Sequence, residues 1–575
     1  MATRLTRSTA VISVIAGVLL PCLRAQTTTR ESVASNGLPF DVGTNSRFSG
    51  VSADGRYLVF DVPVPVATTY VTQIMRRDRQ LGVTEVASLA PNGDYGNADS
   101  IEPSFSLDGR WLAFASYATN FVPNTTTSAS RIYVRDLVTS TNTMESPGLG
   151  GATPNGLSSA PRITPDGHYV VFFSDSSNLV SGDTNGVADV FVRDRQAGTL
   201  SRVSVGSGGQ ANGTSLEASI SDDGRFVAFE SLASNLVASD TNGTFDVFVR
   251  DRVLGATTRV DRSAGGAELA LGAEAPLISG DGRFVAYASR DAALIPGDVF
   301  GGYDIIVHDL VTGTNDWASP GSSGQISNGD SYRPNAISPD GRFVVFSSGA
   351  SDLVSGDTNN TFDVFLRDRT LAVTERVNVT TTGEQVPQSL FTDAHLAALS
   401  PDGRYVAFSD LGDLVIGSYS GFDEIYLRDR QGTATTLESY CTAKVNSASC
   451  TPMISASGLP SVSGATAFTV TASRVLRNKS GLFFWGLQAA AIPFGGGTLC
   501  VQPPVVRLPT QDSGGTFIAG NCSGHYFFPF SPSYMASYGL AAGQTIHAQF
   551  WSRDTGFSPP NNIGLTDALR FTLGL

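Results

Sequence analysis

The chain has 575 residues, with 38 Lys and Arg against 52 Asp and Glu, a formal charge of −14. The acid excess argues against a nucleic-acid partner, because phosphate binding needs clustered positive charge. A hydrophobic content of 41% excludes a disordered chain, while 61 Gly and 28 Pro with only 16% charged residues point to many short strands joined by many turns.

At the N-terminus Arg4 and Arg7 precede a largely apolar run from Ala10 to Leu20, followed by Cys22, Leu23, Arg24 and Ala25. That layout predicts a secretory signal peptide over residues 1–25, since the run is too short to span a bilayer as a helix. No later segment is apolar for long enough to span either, so the mature chain is expected without a transmembrane segment, in the periplasm, at the cell surface or outside the cell.

From residue 26 the sequence repeats. An Asp-Gly turn between apolar runs recurs as SADGRYLVF, SLDGRWLAF, TPDGHYVVF, SDDGRFVAF, SGDGRFVAY, SPDGRFVVF and SPDGRYVAF, with turn aspartates Asp54, Asp108, Asp166, Asp223, Asp281, Asp340 and Asp402 at steps of 54 to 62 residues. Each copy is followed by a second landmark of the DVFVRD type, ending at Asp78, Asp136, Asp194, Asp251, Asp309, Asp368 and Asp429; five of the seven intervals are 28 residues. One supersecondary unit is therefore repeated seven times. Each unit reads as a four-stranded antiparallel meander. Its second strand (Phe226, Val227, Ala228, Phe229 in the fourth copy) is apolar on both faces and needs cover on both sides. Sheets set face to face around an axis supply that cover, which predicts an all-β, seven-bladed β-propeller over 26–435. Residues 27–35 look like a fourth strand lacking its first three, so they are expected to complete the seventh blade; 434–439 is the competing segment or a linker.

The strand-turn-strand S-P-D-G-R followed by D-ϕ-F-V-R-D resembles the TolB-like, WD-type β-propeller repeats of exported bacterial proteins, over about residues 27 to 435. His168 and His308 stand where the repeat has Arg, and too few residues precede the first turn for the N-terminal α/β domain of TolB. The resemblance implies a protein-binding propeller in the envelope.

After about residue 440 the repeat stops. Phe468 to Ser473, Leu482 to Leu487, Ile546 to Trp551 and Leu569 to Leu573, punctuated by Gly and Pro, predict a small β-sandwich over 440–575. Cys441, Cys450, Cys500 and Cys522 lie there and suggest disulfides in an exported chain, with nearest-neighbour pairing (441 with 450, 500 with 522) chosen among three connectivities. IPFGGGTLCV, QFWSRD and GLTDALRFTLGL resemble a C-terminal module of large exported proteins from planctomycete-type bacteria, which implies a binding or attachment unit.

Residues that recur sevenfold are poor catalytic candidates, because catalysis needs an asymmetric set of roles. The turn aspartates are expected to satisfy backbone groups. No G-x-S-x-G elbow or HExxH motif occurs, and the five His are scattered. Two candidate sets remain. Asp183, Asn185 and Asp189, echoed by Asp240, Asn242 and Asp246 and by Asp357, Asn359 and Asp363, resemble part of a calcium loop but lack its terminal Glu; no other cofactor is indicated. Glu102, Arg162, Glu217, Glu274, Arg333 and His395 break the repeat at the start of the innermost strands, where a channel mouth would lie. The reading is a non-catalytic module binding a protein or glycan partner. The alternative is a hydrolase or lyase acting on glycans or peptides at the channel mouth.

Overall fold

The computed structural model describes residues 26–574 apart from 36–39, 41–49, 67–68, 124, 126–128, 296, 299–300, 382, 386–395, 412–413, 416–422, 432–437, 458–459, 463–467, 515–521 and 523. The signal-peptide segment 1–25 lies outside the described residues. Among those described, no helix is long and apolar enough to cross a membrane.

The local unit is set by its turn. In the first copy Asp54 Oδ1 accepts hydrogen bonds from the Ser52 hydroxyl (2.7 Å) and the Arg56 backbone N–H (3.0 Å), while Ser52 Oγ accepts from Tyr57 N–H (2.9 Å). The same bonds recur in the other six copies, so the turn aspartates act on the backbone as expected. The Arg that follows the turn crosses to the second landmark: Arg225 Nη2 lies 2.7 Å from Asp251 Oδ2, and His168 Nε2 makes the equivalent contact with Asp194 at 2.9 Å. Each turn thus ties the second strand to the third.

Seven such units each form an antiparallel four-stranded sheet among the described residues. Blades 1 to 6 run from Gly50–Val51 to Val83–Val86, Ser100–Phe105 to Thr141–Met144, Ser158–Ile163 to Thr199–Arg202, Ser215–Ile220 to Ala256–Arg259, Glu274–Ile278 to Thr314–Trp317, and Ser331–Ile337 to Val373–Arg376. Blade 7 contains Ala397–Leu399, Tyr405–Asp410 and Glu424–Asp429, and takes its outer strand from Thr27–Arg30, with Thr27 opposite Asp429 and Arg30 opposite Tyr426. The ring is therefore closed by pairing Thr27–Arg30 with the last repeat. Of the competing segment, 434–437 lie outside the described residues, and Glu438–Tyr440 pairs with Ile563–Thr572 in the C-terminal sheet.

Packing shows why the sheets form a ring. The Asp-Gly glycine adopts φ of +69° to +74° in all seven copies, and a Cβ there would lie 2.2–2.7 Å from the aromatic ring that follows Arg or His in the preceding blade. Gly167 rests on Trp111, and Gly55 of blade 1 rests on Tyr405 of blade 7, which completes the circle. Both the left-handed backbone and the close approach demand glycine. Seven apolar clusters lie between neighbouring blades. Val171 and Val190 of blade 3 meet Val227 and Phe229 of blade 4, and Leu58 and Phe60 of blade 1 meet Ile425 and Leu427 of blade 7. Each such side chain, fully buried, contributes about 1.5–3 kcal/mol.

The C-terminal strands form a sandwich. A sheet of Ser480–Gly486, Thr545–Arg553, Ile563–Thr572 and shorter strands shares one core with the three-stranded sheet Met453–Ser457, Phe468–Val475 and Gly524–Phe530. Phe483, Trp485, Phe550 and Phe571 of the first interlock with Phe468, Tyr526 and Phe530 of the second. The cysteines correct the nearest-neighbour expectation: the bridges are Cys441–Cys500 and Cys450–Cys522, with Cα separations of 6.3 and 6.4 Å. Sheet pairing, not chain proximity, brings the partners together. Tyr440, held against the last strand, donates its hydroxyl to the Cys500 carbonyl at 2.7 Å, and Asn446 lies between Cys450 and Cys522.

Candidate functional site

The innermost strands of the ring enclose a cavity of about 260 Å³. Its wall includes the apolar Pro103, Pro161, Leu277 and Pro334, and its charged lining residues are Glu102, Arg162, Glu217 and Arg333. Four of the six residues expected at the channel mouth are therefore brought together there. Glu274 is not among the lining residues; it opens the inner strand of blade 5 opposite Ala288 and bonds to Tyr303, whose hydroxyl burial and this carboxylate push up to about 12. His395 lies outside the described residues.

The wall is bent where these side chains stand. Glu102, Ala160, Glu217 and Ala275, equivalent positions of blades 2 to 5, have φ of +57°, +52°, +34° and +54°, and the strand register shifts at each. A left-handed non-glycine residue costs roughly 1–2 kcal/mol, so the ring holds strain along its axis, in bulges that re-aim side chains. The strands are also stitched together: Ala160 N–H donates to Glu102 Oε2 (2.6 Å), and Ile163 N–H and Ile278 N–H donate to Ser104 and Ser219 Oγ of the preceding blades.

The charges are partly compensated. Arg333 of blade 6 reaches Glu217 of blade 4 at 3.2 Å, an ion pair between non-adjacent blades. Arg162 of blade 3 is half-buried and has no hydrogen-bond or ion-pair partner among the described residues. Burial lowers its pKa, opposed by the charge of Glu217 and reinforced by that of Arg333.

Sequence reasoning missed Glu230. It occupies the fifth position of the second strand, where the other copies carry Asp61, Ala115, Phe173, Ala288, Ser347 and Ser409; only blade 1 shares an acid there, and that departure was the available signal. Glu230 is buried behind the inner strand, accepts the Ala275 N–H at 2.7 Å, and is pushed up to about 7, first by burial and then by the charges of Glu217 and Glu274. It does not line the cavity.

The Asp-x-Asn segments form side-chain turns. Asn185, Asn242 and Asn359 accept a backbone N–H two residues on and donate to Asp189, Asp246 and Asp363. In each, an arginine from the fourth strand meets the carboxylates: Arg202 with Asp183 and Asp189 (3.3 and 3.2 Å), Arg259 with Asp240 and Asp246 (3.6 and 3.0 Å), and Arg376 with Asp357 and Asp363 (3.1 and 3.3 Å). In blade 4 Asp240, Asp246 and Glu268 offer oxygens within 4.8 Å of one another, and Arg259 Nη1 stands 2.7 Å from Glu268. These donor sets fit a guanidinium better than calcium, which would have to displace a buried cation.

No family model matches the chain, and no curated protein matches it. Among solved structures it is similar to TolB from Acinetobacter baumannii (15% identity, 66% of this chain and 82% of that one, TM-score 0.32). It is also similar to the β-propeller domain of the Trilobed protease from Pyrococcus furiosus, described as having an open velcro topology (8% identity, 64% and 91%, TM-score 0.39). A third is the hydrazine synthase of Kuenenia stuttgartiensis (14% identity, 67% and 95%, TM-score 0.35). By its own sheet topology and cysteine pairs the chain is an all-β propeller with a disulfide-bonded sandwich.

Proposed function

We propose that this chain is an exported, non-catalytic binding protein whose propeller channel receives part of a protein or glycan partner at the cell envelope or outside the cell. The observation that carries the reading is the convergence of Glu102, Arg162, Glu217 and Arg333, one from each of four blades, on one cavity. Where seven copies otherwise agree, charge that departs from the repeat and faces a shared space is best explained by a ligand. At about 260 Å³ the cavity is smaller than the usual small-molecule site, which suits the tip of a larger partner. Two disulfides support an oxidising compartment, and the charge of −14 disfavours nucleic acid.

The alternative, a hydrolase or lyase, requires a carboxyl group poised near neutrality and open to the cavity. Glu230 meets the first condition and is walled off from the second. Ala398, half-buried on the cavity wall, gives the test. Immobilised full-length protein is expected to retain a component of envelope extract that Ala398→Trp, folded by circular dichroism, does not. Equal retention by both sinks the channel reading, and turnover of a polysaccharide or peptide by the wild type sinks its non-catalytic part.

A further inference from the structure

The arginines around the ring are almost all engaged. Arg56, Arg110, Arg225, Arg283, Arg342 and Arg404 pair with the landmark aspartates, and Arg202, Arg259 and Arg376 lie in the carboxylate turns. In the channel Arg333 has Glu217, and Glu102 is held by Ala160 N–H. Arg162 is the lining cation left without a partner among the described residues. A guanidinium taken partly out of water, with the Glu217 carboxylate attracting it but held in contact with Arg333, is costly unless something arrives to pair with it directly. It stays charged at every physiological pH and presents a planar fork matched to a carboxylate.

The surroundings narrow the ligand. Beside its charged groups the cavity wall carries Pro103, Pro161, Leu277 and Pro334, rigid and aliphatic. Phe105, the one aromatic lining residue, is buried in the cluster between blades 1 and 2, so the described wall offers no exposed ring face of the kind on which a sugar stacks. The volume suits one or two aliphatic residues rather than a chain threading through.

We propose that Arg162 is a carboxylate receptor, and that the channel takes the C-terminal end of an apolar peptide, its terminal carboxylate on the guanidinium and its aliphatic side chains against the prolines. This deepens the channel reading above and rests on it. No bond is made or broken, and the preference for a free chain end over an internal segment comes from charge alone.

The test uses full-length protein and three probes: acetyl-Leu-Ala-Leu with a free carboxylate, the same peptide as its C-terminal amide, and a galacturonate oligomer that carries carboxylates on a sugar. Calorimetric titration is expected to show the acid binding about tenfold or more tightly than the amide, a difference typical of one charge-assisted fork. Arg162→Gln should abolish that discrimination, Arg162→Lys should keep part of it, and Arg225→Gln, whose pair with Asp251 lies outside the lining, should behave as wild type. Equal binding of acid and amide, discrimination unchanged in Arg162→Gln, preference for galacturonate, or no binding of the acid at millimolar concentration would each overturn the assignment. Ala398→Trp separates this failure from the broader one. If acid and amide bind equally and the variant loses both, the channel reading stands and Arg162 falls; if the variant binds like wild type, both fall.

Discussion

The propeller and the sandwich solve the same problem, burying β-sheet faces, by opposite means. In the ring one solution is copied seven times: an aspartate organises a turn, its glycine lies against the neighbour's aromatic, and an arginine or histidine ties the second strand to the third. In the sandwich each contact occurs once, and Cys441–Cys500 and Cys450–Cys522 cross-link segments 59 and 72 residues apart. Repetition lets a ring distribute its stability over many equal interfaces. A small sandwich with one aromatic core concentrates it in a few bonds.

The largest expected effect breaks the sandwich alone. Replacing Cys441 and Cys500 together by Ala frees a loop of 59 residues and should cost about 4 kcal/mol on the loop-entropy account. Hydrogen exchange should show protection lost over 438–574 and kept over the blades; loss in both regions would mean that they do not stand independently. The next breaks the ring alone. Gly167→Ala introduces a Cβ 2.2 Å from Trp111 at a φ of +72°, and should cost about 3 kcal/mol in chemical denaturation. In a Trp111→Ala background the penalty should fall to about 1 kcal/mol, leaving the backbone term; an unchanged penalty would show that the aromatic contact is not what demands glycine.

The smallest sharpens the comparison where the ring stops repeating. Glu230 has a folded-state pKa of about 7 against roughly 4.3 when unfolded, so between these values the native state holds the extra proton and stability falls as pH rises. Above pH 7 the wild type bears the full penalty, at most about 4 kcal/mol. Glu230→Gln keeps an oxygen for Ala275 N–H and cannot ionise. Its Tm should exceed that of the wild type at pH 8 and match it near pH 4.5, and a constant difference across that range would remove the buried ionisation as the cause.

Legibility followed repetition. The Asp-Gly turns and seven units could be read because each is a local pattern seen several times, in which accident cannot imitate spacing, whereas the closing strand stayed one of two candidates until Thr27–Arg30 was seen to pair with the last repeat. Glu102, Arg162, Glu217 and Arg333 were legible as departures from that pattern. Glu230 escaped notice because it sits in the second strand, one layer behind the wall where departures were sought. The cysteine pairing was misread because the sandwich has no second copy to compare, and nearness along the chain is a poor guide where sheet order is set by a shared core.

By itself the amino-acid order determined the repeating unit and its number, since turn chemistry and apolar patterning act within a few residues. Only the tertiary structure decided that Thr27–Arg30 would latch the ring, that Arg333 would reach Glu217 across two blades, that Arg162 would line the channel with no hydrogen-bond or ion-pair partner among the described residues, and that arginines would meet the Asp-x-Asn carboxylates. Those are relations between side chains far apart in sequence. Charge compensation acts through space, and its outcome is fixed only when the ring has closed.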